Sequence, residues 1–444
     1  MASNYFSEMQ ASCKAAVDKT VNYLKGVELY RPFPIVRPGF LVHQLPADPP
    51  QEGVKMETIL EDVDRLLLPG VAHWNHPHIH AHFAMTNSYP AMFANIISSG
   101  MEGIGFTWAS SPVSTELEVV MTNWLVKMLG LPDFYLHNVS GGGGVIGTTC
   151  SEQAVVTMMA ARNKAIEKYI ADHPGATNYK AMSKLVCYGS VLAHCSIERA
   201  GLLNLLPYRS LPVNENFELT GKTLESAIME DIAMGKVPFY VCLSSTLTRA
   251  RKSDIKESGI DEYRDVKSVA STFSTDAQYL KYDEVGKMPD YRNWQLSFGR
   301  KFRSIKLWFV IRKFGVGGLQ GYIRQHIRMA KYLESLIRTD PRFEIICGVV
   351  LGLVCFRIKN NNEMTKELYK MIEEDGRIHL VTSKITGPDM KEIFFIRIAI
   401  VYLFTDEETC SFAYNVICEI ADKLMGSYQN KPANGQIRYE NVSK

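Results

Sequence analysis

The stretch that most constrains the fold of this chain is Gly141-Gly142-Gly143-Gly144-Val145-Ile146-Gly147-Thr148-Thr149-Cys150-Ser151-Glu152. A glycine run lets a backbone turn sharply and approach another group closely. Helical spacing begins near Ser151 and continues to Ile170, so free N–H groups and the positive end of a helix dipole point at the turn. Thr148, Thr149 and Ser151 add hydroxyls that can bind the same anion. This is the chemistry of a phosphate cradle, although the spacing is neither a P-loop nor a dinucleotide fingerprint. By spacing alone, a flexible surface loop is the competing reading.

The surroundings of that turn suggest an α/β fold. From Tyr89 to about Lys301, helices alternate with short apolar strands. Thr115-Glu116-Leu117-Glu118 reads as a capping box opening a helix that reaches Leu129. Leu185–Tyr188 and Phe239–Leu243 read as buried strands, with a helix at Leu224–Met234 between them. Alternation of this kind predicts a mainly parallel sheet. The last third differs, with a helix at about Leu319–Ile337, strands at Phe343–Ile358, Ile378–Val381 and Ile393–Ile400, and a final helix near Glu407–Met425. It predicts a smaller α+β domain.

At the other end, Phe6, Met9, Cys13, Val17, Val21 and Leu24 recur at helical spacing. A Pro-rich crossing, 31–39, leads to a second helix near Lys55–Leu68. The expected division is an N-terminal helical dimerisation segment (1–88), a large domain (89–305) and a C-terminal small domain (306–444). Only Arg249–Thr275 breaks the rhythm, because it carries charge with little apolar spacing where a sheet should continue.

Charge and composition exclude several functions. The 444 residues are 46% hydrophobic, enough for a large core, and 49 basic against 47 acidic residues give a net +2. That balance predicts neither a nucleic-acid nor a membrane-surface partner. No run of 18 uncharged apolar residues predicts a membrane span, and Met1–Tyr30 lacks the pattern of a signal peptide. Nine scattered cysteines fit a reducing compartment, hence a cytoplasmic protein.

Histidines draw attention next. His76, His78, His80 and His82 alternate, so on a strand they would share one face, as metal ligands can. No cysteine or acidic residue lies close by to complete the shell, and no metal is expected. His194 lies between a strand and a helix, where active-site residues often stand. Cys195 beside it has no evident base, which argues against a Cys–His nucleophile.

Longer ordered blocks carry a family resemblance. They include Arg37-Pro38-Gly39, His73-Trp74, Ser88-Tyr89-Pro90-Ala91-Met92 and Ile104 to Pro112. They continue with Thr115 to Glu118, the glycine run, Ala193-His194, Glu198-Arg199-Ala200-Gly201 and Asp290-Tyr291-Arg292. Gly299 to Ser304 and Leu351 to Arg357 complete the series. Together they resemble the aromatic-L-amino-acid decarboxylase family, the group II pyridoxal-phosphate (PLP) decarboxylases that include histidine and tyrosine decarboxylases.

The resemblance implies the fold type I of PLP-dependent transferases, a homodimer with sites at the subunit interface, and a carboxy-lyase turning a free amino acid into an amine and carbon dioxide. It places the cofactor phosphate at Cys150 and Ser151, with Thr248 in the remnant of the family's Gly-Thr-Thr turn. His194 falls on the imidazole that stacks on the cofactor ring. Trp74 and Phe83, with Ile104 and Phe106 contributed by the partner subunit, fall on the substrate pocket. Gly299 matches a position tied to substrate choice. Tyr279 matches a loop tyrosine linked to returning a proton after carbon dioxide leaves.

One part of the family pattern is missing. The family anchors its cofactor through an Asn-x-x-His-Lys motif and pairs the ring nitrogen with the carboxylate of an Asp-Ala-Ala-Tyr strand end. Neither motif occurs here. The chain passes through Arg249–Thr275 and rejoins the family near Asp276–Lys281, so a block of about fifty residues, at least one crossover unit, is absent and the large-domain sheet should be truncated. Lys252, Lys256, Lys267 and Lys281 lie nearby and are not expected to replace the anchor. His82-Phe83-Ala84-Met85 also departs from the family's Tyr-Phe-Pro-Thr. The departures suggest a subunit impaired in catalysis, or an inactive paralogue acting as a homodimer or as a heterodimer with an intact decarboxylase.

Overall fold

The computed structural model describes residues 2–82, 87–101, 103, 105–137, 139, 141–214, 217–243, 266–274, 288–349, 351–386 and 392–429. Phe83, Ile104, Thr248 and Tyr279, and most of Arg249–Thr275, lie outside them. The chain divides into two compact units, one of residues 1–86 and 321–444 and the other of residues 87–320.

In the first unit, the amphipathic spacing near the N-terminus becomes α1 (Ala2–Lys25). Its apolar stripe is only partly covered among the described residues: Phe6, Met9 and Val21 are exposed, while Val17 and Leu24 are half-buried. After the Pro-rich crossing, a short helix α2 (Met56–Asp62) follows.

The second unit opens with α3 (Tyr89–Met101) and α4 (Pro112–Leu129). Helix α4 starts earlier than the capping box predicts. Ser111 is its N-cap, without a side-chain cap bond, and Pro112 occupies the first turn, a position where the missing N–H and fixed φ of proline do no harm. Then come α5 (Cys150–Asp172), α6 (Asn178–Met182), β1 (Leu185–Ser190), α7 (Cys195–Leu203), β2 (Tyr208–Leu211), α8 (Gly221–Ala233) and β3 (Val237–Cys242). The three strands form a parallel sheet in the order β2-β1-β3. Strand β1 is buried throughout, whereas β3 is half-buried along its length and pairs, among the described residues, only with β1. A further helix, α9 (Val266–Phe273), lies inside the segment that shows little rhythm in the sequence.

Helix α10 (Ser304–Thr339) begins fifteen residues before the periodicity suggests, and Gly315 interrupts it at φ 65°, a left-handed conformation that glycine adopts without strain. The first unit then closes with β4 (Phe343–Ile345), β5 (Leu353–Ile358), α11 (Asn362–Asp375), β6 (Val381–Thr386), β7 (Glu392–Ala399) and α12 (Glu407–Gln429). Its antiparallel sheet has the order β4-β5-β7-β6. Leu333 and Ile337, Phe356, Leu368 and Ile372, Ile396 and Ile398, and Ile417 and Ile420 meet in one continuous core.

Candidate functional site

The glycine turn leads directly into α5, and its local chemistry explains why. Thr149 is the N-cap in extended conformation; its Oγ1 accepts the Glu152 N–H at 3.1 Å and its carbonyl accepts that of Gln153 at 3.1 Å. That leaves the first-turn N–H groups of Cys150 and Ser151, two of the donors a helix cannot satisfy internally. Both residues are exposed. Arg303 reaches the same turn, donating from Nη2 to Thr148 Oγ1 at 3.1 Å and from Nη1 to the Ile146 carbonyl at 3.4 Å. The sequence reading did not single out Arg303, because nothing in its spacing separates it from the basic residues around it.

The glycines themselves serve packing. A Cβ on Gly142 would fall 1.8 Å from the Phe134 carbonyl oxygen, and one on Gly143 would fall 2.8 Å from the His137 ring. The run lets the loop lie against its own scaffold, and the exposed positions come after it, at Thr148 to Ser151. His137 holds the loop from one side: its Nε2 accepts the Gly144 N–H at 3.0 Å, and its ring stacks on Trp294 at 5.9 Å. Burial lowers its pKa, which favours the neutral ring that can accept there. The Val266 N–H donates to the Gly141 carbonyl at 3.2 Å, which ties α9 to the start of the run.

His194 follows β1 and caps α7, its Nδ1 accepting the Ser196 N–H at 3.2 Å. In a parallel sheet, a helix leading into a strand runs opposite to it, so the N-terminus of α5 lies at the carboxyl end of the strands. His194 stands at that same end, where ligands of open α/β sheets bind. The imidazole is exposed. Of the remaining candidates in this unit, Phe106 is half-buried, and Gly299 is exposed, with no described residue other than its chain neighbours within 4 Å of where a Cβ would stand. Trp74 belongs to the other unit, where it is 38% exposed and its ring meets that of His82 edge-on at 6.0 Å.

The alternating histidines are not a shared open face. His76 and His80 are buried and His78 stacks on Phe412 at 4.1 Å, each with one ring nitrogen that has no hydrogen-bond partner among the described residues. Burial lowers the pKa of His76 and His78 to about 4 and that of His80 to about 3. Among the described residues, no three His, Cys, Asp or Glu side chains converge as metal ligands do.

The donor set at 148–151 fits a phosphate: two helix N–H groups, hydroxyls and one guanidinium lie within four consecutive residues and Arg303, and among the described residues no carboxylate side chain is hydrogen-bonded to them. The comparisons with known proteins bear on which phosphate ligand such a turn would suit. The model of the pyridoxal-dependent decarboxylase conserved domain matches residues 38–250 and 258–359. This chain belongs to that family. The aromatic-L-amino-acid decarboxylase of Manduca sexta is 37% identical over 480 aligned positions, covering 95% of this chain and 92% of the relative. Rattus norvegicus histidine decarboxylase is 35% identical, over 96% of this chain and 73% of the relative. Among solved structures, Oryza sativa TDC with PLP and tryptamine superposes with a TM-score of 0.87 at 27% identity, over 94% of this chain and 98% of that one. Catharanthus roseus tryptophan decarboxylase in complex with L-tryptophan gives 0.84 at 28%, over the same shares. The fold is therefore type I of the PLP-dependent enzymes, with an α/β parallel sheet and a smaller antiparallel sheet in the C-terminal region.

Proposed function

We propose that this decarboxylase-family chain retains the phosphate end of a PLP site and has lost the covalent end, so that its own carboxy-lyase activity is abolished or severely reduced. The observation that carries this is the sequence after β3. No His-Lys pair occurs anywhere in the chain, and the family match breaks at 251–257, where the anchor segment should begin. The 480-position alignment is longer than the 444-residue chain, so some of the relative's residues have no counterpart here.

Cys150, Ser151 and Arg303 would hold the phosphate, and His194 would lie against the ring. When bound covalently, the group serves as an electron sink for bond cleavage at an α-carbon; without the lysine these residues can bind and orient but not commit it to that chemistry. Thr248 keeps the family role given above, as do the pocket residues Trp74, Phe83, Ile104, Phe106 and Gly299, with a free aromatic or imidazole amino acid as the ligand class. Tyr279, matched to the return of a proton after carbon dioxide leaves, loses its step along with the covalent chemistry.

A second reading is favoured by the exposed apolar side chains Tyr5, Phe6 and Met9 on α1 and Phe93, Ile96 and Met101 on α3. On this reading the chain pairs with itself or with an intact decarboxylase subunit. All nine cysteines are free, which supports the cytoplasm as its location, and among the described residues no helix is long and apolar enough to cross a membrane.

The test is direct. Purified chain is saturated with PLP, reduced with borohydride and weighed intact, while carbon dioxide release is followed from tyrosine, histidine and dihydroxyphenylalanine. The expected result is no site-specific mass increase, no carbon dioxide, and calorimetric binding of pyridoxamine 5′-phosphate but not of pyridoxamine. One modified lysine together with turnover would restore the active enzyme. For the second reading, co-expression with an intact decarboxylase should yield mixed dimers, and their absence would remove it.

A further inference from the structure

We propose that Glu118 and Arg300 are positioning residues for the anion cradle: their buried ion pair fixes Ile146, and through it the turn that presents Cys150 and Ser151. This rests on the cradle reading above. Glu118 has the spacing of a capping-box acid, yet α4 begins at Pro112 and leaves the Glu118 carboxylate free for another task. Its side chain is 2% exposed and that of Arg300 3%. Glu118 Oε1 accepts from Arg300 Nη2 at 2.5 Å and from the Ile146 N–H at 2.8 Å. Arg300 is held in turn, with Nη1 donating to the Tyr291 carbonyl at 3.4 Å and its guanidinium 4.5 Å from the centre of the Tyr291 ring.

Desolvating two charges costs as much as their attraction returns, so two apolar side chains would fill this volume at least as stably. An apolar pair could not accept the Ile146 N–H. With Glu118 beneath Ile146 and His137 against Gly144, the loop has a buried acceptor on each side. The turn that follows is met by Arg303, from the same short segment as Arg300. That one segment, Gly299-Arg300-Lys301-Phe302-Arg303, sends one arginine under the loop and another to its outer end.

Single substitutions strand the opposite charge in the interior, so two double variants make the test. Glu118→Met with Arg300→Met removes both charges and the acceptor. Glu118→Gln with Arg300→Met removes both charges but keeps an oxygen for Ile146. Pyridoxamine 5′-phosphate is the probe, because it binds through the cradle without needing a lysine. The Met/Met variant should melt within a few degrees of the unaltered chain, bind the probe roughly 10- to 100-fold more weakly, and exchange the amides of 141–149 faster while those of α4 keep their protection. The Gln/Met variant should recover most of both losses.

Wild-type binding and loop protection in the Met/Met variant would overturn the assignment. So would a Gln/Met variant no better than Met/Met, or failure of both doubles to fold, since the pair would then be structural only. If the unaltered chain ignores pyridoxamine 5′-phosphate, the cradle reading falls instead, and amide exchange alone decides whether the pair orders the loop.

Discussion

The antiparallel sheet β4-β5-β7-β6 and the parallel sheet β2-β1-β3 come from the same chain but differ in how they are completed. The first contributes to a continuous core in which α10, α11 and α12 bury side chains such as Leu333, Leu368 and Ile417 against the strands. The second has two smaller clusters, one around Leu185 and Cys187 and one around Val186 and Tyr188. Its strand β3 is half-buried along its whole length, and the family match breaks a few residues beyond it, at 251–257. The difference is one of completion: packing around the antiparallel sheet is continuous, whereas the parallel sheet, the one that the proposed loss of the anchor segment would affect, is covered by two separate clusters.

The sharpest way to break that contrast is to remove one large side chain from each sheet. Phe356→Ala in β5 deletes a fully buried ring that meets Phe343 edge-on at 5.5 Å, and should cost about 3–5 kcal/mol. Val241→Ala in β3 should cost about 1 kcal/mol, because the side chain is only half-buried. Urea unfolding of the two variants measures this, and equal costs would mean that β3 is covered by part of the molecule outside the described residues.

Acid should act on the first unit next. His76, His78 and His80 have pKa values lowered by burial from 6.5 to about 4, 4 and 3. The unfolded chain therefore binds their protons more readily than the folded one. Stability from these groups is complete above pH 6.5, falls as the pH drops from 6.5 toward 4, and changes little below 3. Each group costs about 2.5 kcal/mol between pH 7 and 4.5, so a combined loss of about 7 kcal/mol is expected in urea titrations. His78→Phe, which keeps the stack on Phe412, should flatten the slope by one group's share.

How much of this was legible beforehand depends on what each residue does. The start of α5 could be read because cap, dipole and hydroxyls all lie within four consecutive positions. The role of Glu118 could not, since its partners Arg300 and Ile146 are distant in sequence and Pro112, not Thr115, marks the start of the helix. Strand β6 was expected at Ile378–Val381 but runs from Val381 to Thr386. The apolar residues before it are buried by a different pairing, in which His379 exchanges backbone bonds with His78 and His80 at 3.0 and 2.9 Å. Helix α11 was missed although Asn361 caps it and Leu368 and Ile372 face the core; its many charges dilute a narrow apolar stripe. The glycine run was legible as a close approach, but not what it approaches, because Phe134 and His137 become its neighbours only through the fold.

A smaller effect sharpens the view of the parallel sheet. The hydroxyl of Tyr188 donates to Asp231 Oδ2 at 2.8 Å, and Arg209 Nη1 donates to the same oxygen at 2.8 Å. Tyr188→Phe removes one donor and leaves the carboxylate paired, so a loss of about 1 kcal/mol is expected. A much larger loss, measured by thermal unfolding, would show that the thinner sheet depends on this link more than its burial suggests.

The smallest effect is the most informative about function, because one cap in each unit can be removed for the same cost. Thr149 caps α5 and Asn361 caps α11, each accepting a first-turn N–H, at 3.1 and 2.9 Å. Thr149→Ala and Asn361→Ala should each cost about 1 kcal/mol of stability. Only the first should weaken pyridoxamine 5′-phosphate binding, by roughly two- to fivefold, a fraction of one hydrogen bond, because a frayed first turn no longer aims the Cys150 and Ser151 N–H groups. If both alanine variants bind the probe equally well, the anion is held by Arg303 and the hydroxyls rather than by the helix N-terminus. The cradle would then depend on side chains that a single substitution removes, and Arg303→Met would abolish binding where Thr149→Ala does not.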